Sequence, residues 1–200
     1  MKDLDDIIFS NKKEETKMTE KKNVRKTPVK KAKKDVFGIG LDVGTGWLVG
    51  ASDNGNGVET LPLRDCFYSI DKEMFSRSMF NMKQVKYVEH NNRVYIVGED
   101  ALTLAKIQNG SALRPLAKGV INPNERAAAP ILREMIRSCI QPFKKKDNET
   151  VVFSIPAPLA NDGEGFNVEY HSLSLSSLIK SIGFTPVPLN EAYAVIISAL

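Results

Sequence analysis

The fold is decided by the stretch Phe37-Gly38-Ile39-Gly40-Leu41-Asp42-Val43-Gly44-Thr45-Gly46. Its first half is apolar and predicts a short buried strand that ends in the carboxylate of Asp42. The two glycines that follow predict a tight turn. A second apolar run, residues 47–52, then predicts a second strand, so that Asp42 lies where one strand ends and the chain reverses.

This turn has the residue types that a phosphate site needs. A carboxylate at a strand end can hold Mg²⁺ through its water shell, because magnesium keeps several of its waters. Gly44 and Gly46 allow backbone N–H groups to approach phosphate oxygens, and Thr45 adds a hydroxyl donor. By itself, this turn is equally compatible with a plain hairpin.

The strands continue on the carboxyl side of the turn. Residues 53–57 (Asp-Asn-Gly-Asn-Gly) predict a second tight turn, and residues 58–63 predict a third strand. Three consecutive strands joined by tight glycine turns predict an antiparallel meander. Residues 64–84 show no period and are predicted to be an irregular insertion, followed by a hairpin of residues 85–88 and 93–97.

The second half of the chain changes period. Apolar residues recur at helical spacing, and β-branched runs alternate with these helices. Two prolines in the last strand place it at a sheet edge or a strand end. The pattern predicts an α/β fold with a mixed sheet and crossover helices. The predicted helices are residues 99–107, 125–140, 171–182 and 192–200, and the predicted strands are residues 151–155 and 184–189.

The net charge of +4 belongs to the N-terminal tail. Residues 1–35 contain 12 Lys or Arg and 7 Asp or Glu, whereas the remainder contains 16 and 17. The tail has few large apolar side chains, so it is predicted to be disordered. A solvated tail, a nuclear-import signal, and an arm for an acidic partner such as nucleic acid or anionic lipid are the open interpretations.

Composition excludes several classes of protein. Hydrophobic residues make up 42% of the chain, which is enough for a core, yet no apolar stretch approaches the ~20 residues of a membrane-spanning helix. Without a secretory signal or a disulfide framework, the sequence predicts a cytoplasmic protein. Cys66 and Cys139 are expected to be small buried hydrophobes, and His90 and His171 to have surface or capping roles.

Five ordered segments together resemble the actin-like ATPase superfamily. Residues 37–46 are similar to its first phosphate motif, and residues 95–101 to its "V-G-x-x-A" junction. Residues 114–121 (R-P-L-A-K-G-V-I) and 151–157 (V-V-F-S-I-P-A) are similar to segments of the MreB- and MamK-like bacterial filament actins. Residues 189–194 (L-N-E-A-Y-A) resemble the start of the family's first connecting helix.

This resemblance implies an RNase-H-like lobe that binds Mg-ATP. Asp42 would hold the water shell of Mg²⁺, and the backbone of residues 44–47 would hold the β- and γ-phosphates. Glu191 would orient the attacking water, the positioning role that dominates phosphoryl transfer. From its chemistry alone, Glu191 is also explained as a carboxylate favoured by a helix N-terminus. The bulky Trp47 departs from the family, and would either pack under the turn or narrow the phosphate cleft.

The resemblance assigns residues 36–200 to the N-terminal lobe, with a small insertion subdomain at about 64–113. The family's second lobe is not found in this sequence, and the final helix has no stop signal, so we expect a longer protein. These 200 residues alone are expected to hydrolyse ATP poorly or not at all. The predicted function is the ATP-binding lobe of a self-associating filament ATPase. The alternatives are a heat-shock-chaperone-like ATPase domain and a degenerate scaffold that does not hydrolyse ATP.

Overall fold

The computed structural model describes residues 38–74, 84–122, 124–157 and 167–199, which are called the described residues below. The predicted tail of residues 1–35 lies outside them. Short 3-10 helices cover Lys72–Met74 and Gln141–Phe143. The other elements are, in chain order, β1 (Ile39–Val43), β2 (Trp47–Asp53), β3 (Val58–Arg64), β4 (Phe67–Asp71), β5 (Tyr87–His90), β6 (Arg93–Val97), α1 (Glu99–Ile107), β7 (Leu116–Ala117), β8 (Val120–Ile121), α2 (Ala128–Ile140), β9 (Glu149–Ile155), α3 (Val168–Ser181), β10 (Phe184–Asn190) and α4 (Glu191–Ser198).

The main sheet has five strands in the order β10-β9-β1-β2-β3. β1 runs antiparallel to β2 and parallel to β9, and β9 runs parallel to β10, so the sheet is mixed. The predicted α/β class with a mixed sheet is confirmed. β10 lies at the sheet edge, as its prolines predict, because Pro186 and Pro188 have no N–H to donate to a further strand.

The core lies between one face of this sheet and the helices α2 and α3. Alternate residues of β1 and β2 point into it, and the apolar stripe of α2 packs against them. Gly50 on β2 is where the helix comes closest, since a Cβ there would overlap the carbonyl of Cys139. Both cysteines are buried, as predicted. The fully buried side chains of α2 are those of Ile131, Leu132, Met135, Ile136 and Ile140.

The opposite face of the sheet carries the residues between these core positions. Gly40 and Asp42 of β1 lie on it, and α4 packs beside β9 and β10. α4 buries none of its residues, although most of them are apolar. Its large apolar side chains, more than half exposed, are those of Tyr193, Val195, Ile196 and Ile197.

A second sheet has the strand order β4-β6-β5 and packs against α1. Its small core contains Cys66, Val94, Ile96 and Ala101. The prediction that residues 64–84 are irregular is wrong for β4, which pairs antiparallel with β6 along its whole length. Among the described residues, no helix is long and apolar enough to cross a membrane.

His171 in α3 is completely buried, so its predicted surface or capping role is wrong. Its Nδ1 accepts a hydrogen bond from the N–H of Ile121, 3.2 Å away. The proton of the neutral ring therefore lies on Nε2, which has no hydrogen-bond partner among the described residues. Burial lowers the pKa of His171 from 6.5 to about 4, because a charged ring would lose its hydration.

We expect the fold to become less stable as the pH falls from about 6.5 to 4. Over this range the unfolded chain binds a proton at His171 that the folded chain excludes, so the free energy of unfolding falls by about 3 kcal/mol. His171→Asn keeps a hydrogen-bond acceptor and should remove this loss. Urea unfolding at pH 7 and pH 4 measures it, with His90→Asn as control. An equal acid loss in wild type and His171→Asn would contradict the prediction.

Candidate functional site

Asp42 is held at the carboxyl end of β1 by the neighbouring strand β9. The hydroxyl of Ser154 donates a hydrogen bond to Asp42 Oδ1 at 2.7 Å and accepts one from the N–H of Val43 at 2.9 Å. One side chain therefore fixes both the backbone and the carboxylate at this point. Asp42 is otherwise exposed, so its remaining lone pairs can bind a ligand.

A groove of about 810 Å³ lies between the open face of the sheet and α4. Its walls are mostly apolar, with Val49 and Ala51 from β2 and Val152 from β9. The carboxylate residues Asp42 and Glu191 both line it. They meet because β1, β9 and β10 are parallel, and the carboxyl ends of parallel strands lie at the same edge of a sheet.

Glu191 is the first residue of α4 and directly follows β10. The helix begins at this point because the Asn190 side chain caps it, accepting a hydrogen bond from the N–H of Ala192 at 2.9 Å. The Glu191 side chain is exposed towards solvent and adjoins the groove. It is therefore available to contact a water or a ligand in the groove.

The turn between β1 and β2 adjoins this groove but does not line it. The N–H of Gly44 donates to the carbonyl of Trp47 at 3.0 Å and closes the hairpin. The N–H groups of Thr45 and Gly46 make no hydrogen bond with any described residue. A Cβ at Gly46 would meet no atom within 4 Å, so packing within this lobe does not require a glycine there.

Trp47 does not pack in the core under the turn. Its side chain is 44% exposed, and the guanidinium of Arg64 stacks over the indole at 4.4 Å. Arg64 Nε also lies 3.7 Å from a carboxylate oxygen of Glu99, at the start of α1. Of the two sequence interpretations of Trp47, packing under the turn is therefore wrong.

Two further residues contact the turn, and the sequence predicts neither. Arg114 Nη1 donates to the carbonyl of Thr45 at 2.6 Å, and the backbone N–H of Asp65 donates to the carbonyl of Gly46 at 3.0 Å. Asp65 is completely buried, and its carboxyl oxygens have no hydrogen-bond partner among the described residues. Burial raises the pKa of Asp65 to about 7, and attraction to Arg114 opposes that rise.

The residues fit a magnesium ion that is held mainly through water. The described residues contain no group of three or more His, Cys, Asp or Glu that could enclose a metal ion. Mg²⁺ in phosphate sites is commonly bound by one or two carboxylates, several waters and the substrate phosphates. The exposed carboxylate of Asp42, oriented by Ser154, provides one such ligand. It lies next to a turn in which two N–H groups have no partner among the residues that the structure describes.

The mixed sheet, its glycine turn and the two carboxylate residues that line one groove define an α/β lobe with a candidate site at one edge of the sheet. The chain belongs to the Volactin family, whose model matches residues 37–200. No curated protein matches this sequence.

The solved structures that are similar to the chain include two of MamK and one of MreB. A non-polymerising MamK mutant bound to AMPPNP is 16% identical to this chain, with a TM-score of 0.49. The matched region covers 78% of this chain and 41% of the MamK chain. A MamK double helical filament is 14% identical with a TM-score of 0.48, and the match covers 76% of this chain and 40% of the MamK chain. MreB 5 of Spiroplasma citri, bound to AMPPNP, is 20% identical with a TM-score of 0.41, and the match covers 77% of this chain and 38% of the MreB chain.

The chain therefore spans about two fifths of the length of each of these structures. MamK and MreB are also the proteins whose segments residues 114–121 and 151–157 resemble in sequence.

We expect Asp65→Asn to increase stability relative to wild type as the pH rises. The folded pKa of Asp65, about 7, exceeds its unfolded value of 3.8, so the buried acid stabilises the fold below pH 3.8 and this is lost as the pH rises through 7. The difference between variant and wild type should change by about 3–4 kcal/mol between pH 4 and pH 8. Urea unfolding measures it, with Asp53→Asn as control. A difference that does not change with pH would contradict the assignment.

Proposed function

We propose that this chain is the Mg-ATP-binding lobe of an actin-like ATPase that forms filaments. The observation that supports it most is the convergence of Asp42 and Glu191 on one groove, next to a glycine turn with unpaired N–H groups. The proposal includes the finer fold assignment, an RNase-H-like lobe whose first three strands form a meander. It also includes the insertion subdomain at about 64–113.

Each of these residues has a separate role in the proposal. Asp42 holds the water shell of Mg²⁺, and Ser154 fixes the carboxylate through its 2.7 Å hydrogen bond. The N–H groups of Thr45 and Gly46 bind phosphate oxygens. Bound Mg²⁺ would neutralise charge on the phosphates.

Glu191 orients the water that attacks the terminal phosphate. Its position at a helix start, fixed by the Asn190 cap, supports this role because water positioning in phosphoryl transfer needs a rigidly held group. The apolar walls of the groove beside it would exclude other water.

The whole protein completes the site in this proposal. The nucleotide would lie between this lobe and a second one, and slow hydrolysis would control assembly of the filament in the cytoplasm. MamK was solved as a double helical filament, and the similarity of this chain to it is the reason for proposing self-association. The basic tail is proposed to contact an acidic partner.

Substitutions in the site should separate binding from hydrolysis. In the full-length protein, Asp42→Asn keeps an acceptor for Ser154 but removes the charge, and should abolish the rise in melting temperature that Mg-ATP produces.

Gly46→Ala adds a methyl group to the turn. The lobe has space for this group, so the protein should stay folded, but the group would hinder the approach of a phosphate and should weaken ATP binding. Glu191→Gln should keep ATP binding and lower kcat by about 10²-fold or more.

The matched control is Glu59→Gln, an exposed carboxylate on β3 outside the groove. It should leave the melting shift, the hydrolysis rate and ATP-dependent pelleting unchanged. If Mg-ATP does not raise the melting temperature of the wild-type protein, nucleotide binding is contradicted and the scaffold alternative is favoured. If the protein is a monomer at every concentration, the filament proposal is contradicted. Peptide-stimulated hydrolysis without pelleting would favour the chaperone-like alternative.

A further inference from the structure

The guanidinium of Arg114 is placed directly on the predicted phosphate turn. Its Nη1 donates to the carbonyl of Thr45 at 2.6 Å, across 69 residues of sequence. A guanidinium has five N–H donors in a planar fork, and this contact uses one of them. The side chain is exposed, so its charge lies at the surface next to the turn.

The backbone that carries Arg114 is fixed on both sides. Leu113 and Phe67 exchange two backbone hydrogen bonds of 2.8 Å, which tie the preceding residue to β4. The buried Pro115, which follows, accepts a hydrogen bond from the N–H of Asn122 at 2.9 Å. The guanidinium is therefore presented to the turn from a rigid segment, so that little conformational entropy would be lost on binding a ligand.

Asp65 provides a second, independent indication of a ligand. Its carboxyl group is completely buried without a hydrogen-bond partner among the described residues, while its own N–H bonds the turn at Gly46. A buried carboxyl without a hydrogen-bond partner is destabilising when it is ionised. The backbone hydrogen bond of Asp65 to Gly46 places it beside the turn that Arg114 also contacts.

We propose that Arg114 binds a phosphoryl group of the nucleotide at the turn, and that the carboxyl group of Asp65, buried beside the turn, opposes this binding when it is ionised. The inference rests on the proposed nucleotide-binding function and adds to it a cationic contact and a regulatory acid. Arginine suits this role because its fork bonds two phosphate oxygens at once. The N–H groups of Thr45 and Gly46, which have no partner in the described part of the chain, would add two further donors at the same turn.

This opposition has a thermodynamic consequence. A phosphate bound at the turn adds negative charge near Asp65, so the acid takes up a proton as the nucleotide binds. ATP affinity should therefore fall as the pH rises through 7. The other charged or titratable groups at this junction are Arg64, Glu99 and Cys66. Burial is the main cause that raises the pKa of the Cys66 thiol to about 11.

The first test measures the affinity of the full-length protein for Mg-ATP, ADP, AMP and inorganic phosphate by calorimetry. Arg114→Gln should weaken ATP binding by about ten- to a hundredfold and leave AMP binding nearly unchanged. Arg114→Lys should recover only part of the loss, because it keeps the charge without the fork. The control is Arg133→Gln, another exposed arginine, whose Nε donates to Ser181 Oγ at 3.0 Å between α2 and α3.

The outcomes of this test separate the two proposals. Wild type that binds no nucleotide at all overturns the proposed function. If wild type binds ATP and Arg114→Gln binds it equally tightly, the inference about Arg114 is overturned and the proposed function is not. If the protein binds inorganic phosphate through Arg114 but does not bind ATP, the proposal that the phosphoryl group belongs to a nucleotide is overturned.

The second test measures the pH profile of ATP affinity in wild type and Asp65→Asn. The ratio of the two cancels the protonation of ATP itself, and Glu99→Gln controls for the neighbouring acid. Wild type should lose about three- to tenfold in affinity between pH 6 and pH 8 relative to Asp65→Asn. Parallel profiles would show that Asp65 acts only on stability, and would overturn the proposal that its ionised carboxyl opposes phosphate binding.

Discussion

The parallel pairing of β1 with β9 is the constraint on which the rest of the structure depends. It sets Ile39 opposite Val151 and Leu41 opposite Phe153, and so places the ends of both strands at one edge. Ser154 then lies within hydrogen-bond distance of Asp42 and Val43. A shift of one residue would turn Asp42 into the core and Leu41 out of it, because side chains alternate along a strand. The buried face and the position of the carboxylate are therefore determined together.

The same constraint explains why the site lies on the face that is less covered. α2 approaches β2 so closely at Gly50 that a side chain there would overlap the helix backbone, and the core face is closed. Polar groups therefore lie on the opposite face and at the turn. Asp42 is on that face, and Arg114 contacts the turn at Thr45. Asp65 is buried beside the turn, and its burial costs stability near neutral pH because the ionised carboxylate would lose its hydration.

Local sequence signals predicted the part of the fold that local chemistry determines. The apolar run that ends at Asp42, with glycines after it, predicted β1 and its turn, and the prolines of β10 predicted an edge strand. β4 was missed because its partner β6 is more than twenty residues away, and a single strand without clear alternation has no local signature. The burial of His171 was missed because it depends on how α3 packs beside β8.

The candidate site was predictable only in part, for a related physical reason. Asp42 and Glu191 were predicted one by one, and the parallel strands bring both to the groove. Ser154, Asp65 and Arg114 make contacts across the fold. Arg114 and Thr45 are 69 positions apart, and the sequence carries no signal of their hydrogen bond. Buried charge and long-range contacts of this kind are properties of the packed chain, and a sequence pattern does not encode them separately.

The most direct measurement of the central claim is the structure of the full-length protein with Mg²⁺ and a non-hydrolysable ATP analogue. The account predicts that the magnesium waters bond Asp42, that the phosphates lie against the N–H groups of Thr45 and Gly46, and that Glu191 faces the terminal phosphate. A nucleotide bound elsewhere, with no contact to the carboxyl edge of β1, would contradict it.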